Sequence, residues 1–241
     1  MVHPVVQKLI DAEYAPQRSK EWFTLRESVI TASDAGSALG LNFFKSRDQF
    51  ILEKCGYFFI DGKLVQCDKK PDTSSEATRY GCQYEDEARQ LYEKVTDEKV
   101  HEIGLVKHPV YSWLAGSPDG ITESGKLLEI KCPFKRKLKR EIIPCYFVQV
   151  QLLMDILDLE TCDFVQYRPG EELVIMSVPR DREWFSQTLP KLKDTWDIIS
   201  RKRLHGLCEI EPDDEVQVLL QEQPVELQDV SSTVLCETHA S

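Results

Sequence analysis

Apolar residues recur along this chain with two periods, and the switches between them mark its elements. Between residues 20 and 27, Trp22, Phe23, Leu25 and Arg26 fit an amphipathic helix, with Ser19 placed to cap its first turn. Thr31 or Ser33 is positioned to cap a second helix running through Leu39. A third helix is expected over residues 46–54, and residues 62–75, polar and carrying Pro71, Ser74 and Ser75, read as a loop. From 78 to 95, Tyr84, Ala88, Leu91, Tyr92 and Val95 return near the helical spacing and predict a long helix. Residues 100–114 read as a strand pair, and 146–157, behind Pro144, as a helix with a continuous apolar stripe. Residues 161–167 and 173–178 alternate like strands about a turn at Arg168-Pro169-Gly170. A closing helix spans 181–202, where Pro190 is expected to kink or split it. Beyond Gly206, acidic residues, Gln and Pro dominate, which predicts one domain over 1–206 and a disordered acidic tail over 207–241. This order of helices and strands predicts an α/β fold, a central mixed β-sheet flanked by helices.

The densest chemistry falls between Ser117 and Pro133. A Ser-Pro-Asp-Gly segment is followed by a turn-like Glu123-Ser124-Gly125-Lys126 and then by Leu-Leu-Glu-Ile-Lys-Cys-Pro. The pattern predicts a β-hairpin, its first strand arriving through 110–114 and its second ending at Lys131. Alternate side chains of a strand share a face, so Glu129 and Lys131 point together while Ile130 points into the core. With Asp119 in register, two carboxylates and an ammonium converge. Such carboxylates repel unless something neutralises them, and a hard divalent cation with oxygen ligands does so. A cation held there polarises a phosphodiester and generates hydroxide near neutral pH, with Lys131 beside the attacking water. The alternative is a surface hairpin with an ordinary cross-strand ion pair. A glycosidase built on Asp119 and Glu129 is a poorer fit, because it leaves Lys131 without a role.

The formal net charge of −11 opposes a nucleic-acid partner until its distribution is considered. Nine acidic residues and no Lys or Arg lie beyond Arg203, so the first 203 residues are close to neutral. Lys131, Lys135, Arg136, Lys137, Lys139 and Arg140 form a basic run beside the hairpin, where phosphate contact is the expected role. The eight Cys are scattered without a C-x2-C pair, which argues against a zinc ribbon and for reduced thiols. No apolar run reaches membrane-spanning length, and no signal peptide is read at the N-terminus, so an intracellular protein is expected.

Pro-Asp followed by Glu-x-Lys is the signature of the PD-(D/E)xK nucleases. The strings Ala115-Gly116-Ser117-Pro118-Asp119-Gly120 and Leu128-Glu129-Ile130-Lys131-Cys132-Pro133 resemble the phage-lambda-type exonucleases, the YqaJ-like viral recombinases. Three further segments carry the same resemblance in order: Q-R-x-x-x-W-x-x-L-R with I-T-A-S-D from Gln17 to Asp34, G-x-x-x-E-x-x-A-R from Gly81 to Arg89, and Q-x-Q-x-x-M from Gln149 to Met154. The resemblance implies a restriction-endonuclease-like core and Mg²⁺-dependent (or Mn²⁺-dependent) cleavage of DNA. It makes Asp119, Glu129, the Ile130 carbonyl and Glu85 the metal site. Lys131 and Gln151 attend the attacking water or the backbone. Arg26 and Ser33 contact a 5′-phosphate, with Lys135, Arg136 and Lys137 on the DNA. It further implies 5′→3′ digestion of one strand of linear duplex DNA with free ends, leaving 3′ overhangs for a single-strand-annealing partner. Some relatives are ring trimers, many are viral, and a viral origin implies host cytoplasm or nucleus. Rival readings are an endonuclease or resolvase on the same core and a non-catalytic DNA-binding module.

Overall fold

A computed structural model describes residues 2–67, 71 and 75–207. From the N-terminus it runs α1 (Pro4–Asp11), α2 (Lys20–Glu27), β1 (Ile30–Thr31), α3 (Ala32–Ala38) and α4 (Arg47–Lys54). A hairpin follows, β2 (Tyr57–Ile60) and β3 (Lys63–Gln66), then the long α5 (Glu76–Thr96). Five short strands come next: β4 (Val100–His101), β5 (Val106–Lys107), β6 (Leu114–Gly116), β7 (Gly120–Thr122) and β8 (Lys126–Lys131). The chain closes with α6 (Pro144–Leu157), β9 (Thr161–Gln166), β10 (Val174–Pro179) and α7 (Arg182–His205).

Local chemistry accounts for most of these starts. Ser19, Ser46, Ser75 and Asp181 each accept from a backbone amide in the first turn of α2, α4, α5 and α7. Pro144 opens α6, where its missing N–H leaves no bond unmade. The turn between β7 and β8 places Gly125 at φ 97°, which only glycine adopts without strain.

The main sheet has the order β10-β9-β8-β7-β4 and is mixed: β8 runs parallel to β9, while β7, β4 and β10 pair antiparallel. A second sheet, β1-β6-β5, joins β1 parallel to β6. β8 is buried on both faces along its centre, as a strand between two helix layers must be. Leu127 belongs to the larger core with Ile121, Val148, Leu152 and Phe185, whereas Leu128 and Ile130 pack with Ala88 and Tyr92 of α5. The sheet therefore lies between α6 on one face and α5 on the other, the flanked mixed sheet expected from the pattern.

Four expectations need correction. Residues 63–66 are a strand, not loop; this exposed strand lacks the buried apolar face that would have announced it. Residues 100–114 are not one strand pair, because β4 joins β7 while β5 joins β6. The hairpin's first strand follows Asp119 instead of leading into it. Finally, of the two outcomes expected at Pro190, a kink or a split, the split does not occur; buried Phe185, Leu192 and Ile199 and the bond from Thr195 to the Ala38 carbonyl at 2.8 Å hold α7 on both sides of the proline. The expected tail lies outside the described residues from 208 onward. Among the described residues no helix is long and apolar enough to cross a membrane.

Candidate active site

Asp119 stands one residue before the paired part of β7, where Gly120 faces Leu128. Its Oδ2 accepts from the Ile130 amide at 2.7 Å, so the side chain completes the ladder where strand β7 has not yet begun. Two residues apart on β8, Glu129 and Lys131 share the α6 side and are joined by a hydrogen-bonded ion pair. Gln149 of α6 donates to the same Glu129 Oε1 at 2.6 Å. The other oxygen, Glu129 Oε2, is buried without a hydrogen-bond partner. Lys131 also lies 5.1 Å from the ring of Tyr146, over which Arg136 sits at 5.9 Å, so one aromatic side chain ties the start of the basic loop to the strand end.

Glu85 reaches this group from α5. Burial, then the Asp119 charge, push its carboxyl up to about 7. Burial and then Asp119 likewise push Glu129 up to about 8, against the lowering pull of Lys131. Asp119 is raised too, by burial. Burial works against the Lys131 cation, yet Glu129 and Asp119 outweigh it and hold the ammonium above its ordinary value. The Asp119 charge thus disfavours ionisation of Glu85 and Glu129, with one lysine among the three acids.

The sequence reading is adjusted at Gln151 and extended around Glu85. Gln151 does not enter this group: its Nε2 donates to the Pro179 carbonyl at 2.9 Å and its Oε1 accepts from the Asp181 amide at 2.7 Å. Both ends of that amide are engaged at the β10–α7 junction, and the glutamine that meets Glu129 is Gln149. Arg89 pairs with Asp86 and Glu102, leaving Glu85 to another cation. That cation is Arg18, 3.8 Å from Glu85 and at φ 66°, a left-handed conformation uncommon outside glycine. Nothing in the local periodicity announces Arg18; its unusual backbone and its carboxylate appear only in three dimensions.

A second cluster lies on α2 and α3. The Arg26 guanidinium stacks on Trp22 at 4.4 Å and donates to Ser33 Oγ at 3.0 Å, so the structure brings these two residues together. The Trp22 indole in turn donates to Ser117 Oγ at 3.4 Å, and Gln17 donates to the Pro118 carbonyl at 3.0 Å, tying this region to the residues just before Asp119. Lys135 and Lys137 are exposed on the loop after β8, with Lys135 over Phe134 at 5.3 Å.

Hard oxygen donors, a buried carboxylate oxygen lacking a partner and two acids raised by the charge of a third suit a divalent cation. Among the described residues no three such side chains already converge in ligating geometry; Lys131 is the counter-charge in this structure.

A mixed sheet between helices, with acid, acid and lysine at the ends of two adjacent strands, defines a PD-(D/E)xK-type core. The chain belongs to the YqaJ-like viral recombinase domain family, whose model matches residues 21–160. The crystal structure of LHK-Exo, an alkaline exonuclease from Laribacter hongkongensis, in complex with dAMP, superposes with a TM-score of 0.64 at 25% identity, covering 78% of this chain and 95% of that one. A phage-related exonuclease from Haemophilus somnus shares the fold at a TM-score of 0.50 and 12% identity, over 72% of this chain and 94% of that one. Among curated proteins, R354 of Acanthamoeba polyphaga mimivirus is 29% identical over 69% of this chain and 31% of its own length. YqaJ of Bacillus subtilis is 29% identical over 68% of this chain and 50% of its own. D345L of African swine fever virus is 28% identical over 56% of this chain and 44% of its own. The chain thus spans between about a third and a half of the length of these curated relatives.

Proposed function

We propose that this domain is a divalent-metal-dependent DNA exonuclease that digests one strand of linear duplex DNA from its 5′ end. The observation that carries the reading is the buried, partnerless Glu129 Oε2 in a group of three acids, where the Asp119 charge raises Glu85 and Glu129. Asp119, Glu129, Glu85 and the Ile130 carbonyl would hold Mg²⁺ or Mn²⁺. When bound, such a cation supplies Lewis-acid polarisation of the phosphodiester and a water deprotonated near neutral pH.

The remaining work falls to the protein's own side chains. The Ile130 amide fixes Asp119, and Gln149 fixes Glu129, so neither carboxylate must be ordered when substrate arrives. Lys131, held as a cation, offsets the negative charge that grows on the phosphoryl oxygens. Water adds to phosphorus and the P–O3′ bond breaks; the released nucleotide keeps its own 5′-phosphate and its O3′ takes a proton. The shortened strand carries a fresh 5′-phosphate. Arg26 and Ser33 bind that group, since a guanidinium offers a phosphate two parallel hydrogen bonds. Lys135, Arg136 and Lys137 contact the backbone of the duplex. The product is a 3′ overhang suited to a single-strand-annealing partner.

The test uses linear duplex DNA bearing a 5′-phosphate or a 5′-hydroxyl, with Mg²⁺, Mn²⁺ or EDTA, and compares wild type with Lys131→Ala. Metal-dependent release of mononucleotides, faster from the phosphorylated end and lost in the variant, is expected. Cleavage of a closed circle would replace the exonuclease with an endonuclease on the same core. Binding without cleavage under every condition would leave a DNA-binding module.

A further inference from the structure

The Arg26–Ser33 contact is one link in a closed ring of interactions. Lys54, at the end of α4, donates to the backbone carbonyls of Arg26 at 2.7 Å and Val29 at 2.8 Å. The same ammonium lies 3.0 Å from Asp34 Oδ2. Asp34 also accepts from Thr31 Oγ1 at 2.8 Å, and Thr31 Oγ1 is 3.1 Å from Ser33 Oγ. Ser33 accepts from the Arg26 side chain, which returns the ring to the residue where it began. Arg203 of α7 holds the neighbouring positions, donating to the Glu27 carbonyl at 2.7 Å and to the Lys54 carbonyl at 2.6 Å.

The Lys54 side chain is only 12% exposed, and its three N–H donors face three acceptors. It has no donor left for a phosphate. What it does is join two elements: the carbonyl end of α2, where the helix dipole favours a cation, and the Asp34 carboxylate of α3. Within the ring two cations face one anion, so it keeps a surplus positive charge, and Arg26, unlike Lys54, carries it on a side chain bonded within the ring only to Ser33.

We infer that Lys54 is a positioning residue for terminal-phosphate recognition: it holds the Arg26 backbone and α3 in one frame, so that the guanidinium and the Ser33 hydroxyl meet a phosphomonoester together. The inference rests on the proposal that Arg26 and Ser33 receive the 5′-phosphate. A guanidinium aimed by a loose backbone keeps its charge but loses its two parallel bonds, so preference for the phosphate should fall while general affinity for DNA persists.

The measurement is the ratio of digestion rates on 5′-phosphorylated and 5′-hydroxyl duplex ends, for wild type, Arg26→Ala, Lys54→Met and Asp34→Asn. Lys54→Met should cut the wild-type ratio by about ten-fold, the scale of one charge-assisted hydrogen bond. Asp34→Asn, which keeps the shape of the ring, should move the ratio the same way and serves if Lys54→Met does not fold. Rates that fall in equal proportion on both ends, leaving the ratio intact, would reduce Lys54 to a structural residue and overturn the inference. A wild-type ratio that Arg26→Ala abolishes but neither ring variant changes would overturn it while sparing the phosphate pocket. A wild type indifferent to the terminal phosphate would overturn the pocket and the inference with it.

Discussion

Asp34 and Glu129 are both acids drawn out of water beside a lysine, yet their surroundings drive them in opposite directions. Burial would raise Asp34, but Lys54, then Arg26 and the Thr31 hydroxyl, outweigh it and hold the carboxyl far below its usual range. At Glu129 burial is joined by the repulsion of Asp119 and Glu85, and Lys131 cannot compensate for all of them. One cluster is satisfied by the protein itself and carries spare positive charge. The other is unsatisfied and carries spare negative charge. Under the proposed function the first receives an anion and the second a cation, the two partners that a phosphodiester-cleaving enzyme with a metal must gather.

The sharpest way to break this contrast is to neutralise one acid in each cluster. Glu129→Gln should lower cleavage by about 10³-fold, measured as kcat/KM. Above the Glu129 folded value of about 8 it should leave the melting temperature in EDTA unchanged or higher, because there it removes a charge that repels Asp119 and Glu85. Asp34→Asn should instead destabilise the domain by about 2 kcal/mol in a denaturant titration, since it strands the Lys54 ammonium. If Glu129→Gln melts earlier than Asp34→Asn, the two clusters have been assigned the wrong way round.

A smaller effect is expected with pH. The folded-state value of Glu129, about 8, lies above its ordinary 4.5, so the folded protein binds the extra proton between them. Metal-free stability should therefore fall as pH rises through that window. Glu85 adds the same sign between 4.5 and about 7. Asp34 has the opposite sense: its stabilisation is present above the ordinary carboxylate value of 3.8 and lost only as pH falls through its depressed folded value. Thermal melts from pH 5 to 8 in EDTA and in Mg²⁺ test this; a metal-induced gain that does not grow with pH would remove the cation from the acid group.

Finest of all is the division between the two glutamines of α6. Gln149→Leu should slow cleavage several-fold with little change in stability, because Glu129 keeps Lys131. Gln151→Leu should cost about 1–2 kcal/mol of stability, with the Pro179 carbonyl and the Asp181 amide left unpaired, and leave the rate near wild type. Reversal of the two results would return Gln151 to the site.

These residues also show what could be read without coordinates. Ser19, Ser46 and Asp181 mark helix starts because their capping chemistry is local, and the two-residue period of a strand suffices to put Glu129 and Lys131 side by side. Arg26 and Ser33 were legible through resemblance, and the structure joins them at 3.0 Å. Gln149 and Gln151 were not separable by pattern. Two residues along a helix point about 200° apart, but both neighbours of α6 are protein, so both glutamines are buried and periodicity does not say which faces the sheet. Lys54 was invisible for a different reason: it looks like a surface cation, and its partners lie 20 or more residues away in sequence. Arg18 stands in the quoted Q-R string, but its pairing with Glu85 is not legible there.

Where α3 crosses α6, Gly36 sits against Cys145. A methyl at Gly36 would fall 2.7 Å from Cys145 Cβ and 3.0 Å from its Cα, so only a glycine lets the two helices approach this closely. One of these helices carries Ser33 and the other carries Gln149 and Tyr146, which abut Glu129 and Lys131. The span between the held end of a strand and the bond to be cut is therefore gauged by the close approach of Gly36 to Cys145. Under the proposed chemistry that makes the bite of the enzyme a constant, indifferent to which bases pass through it.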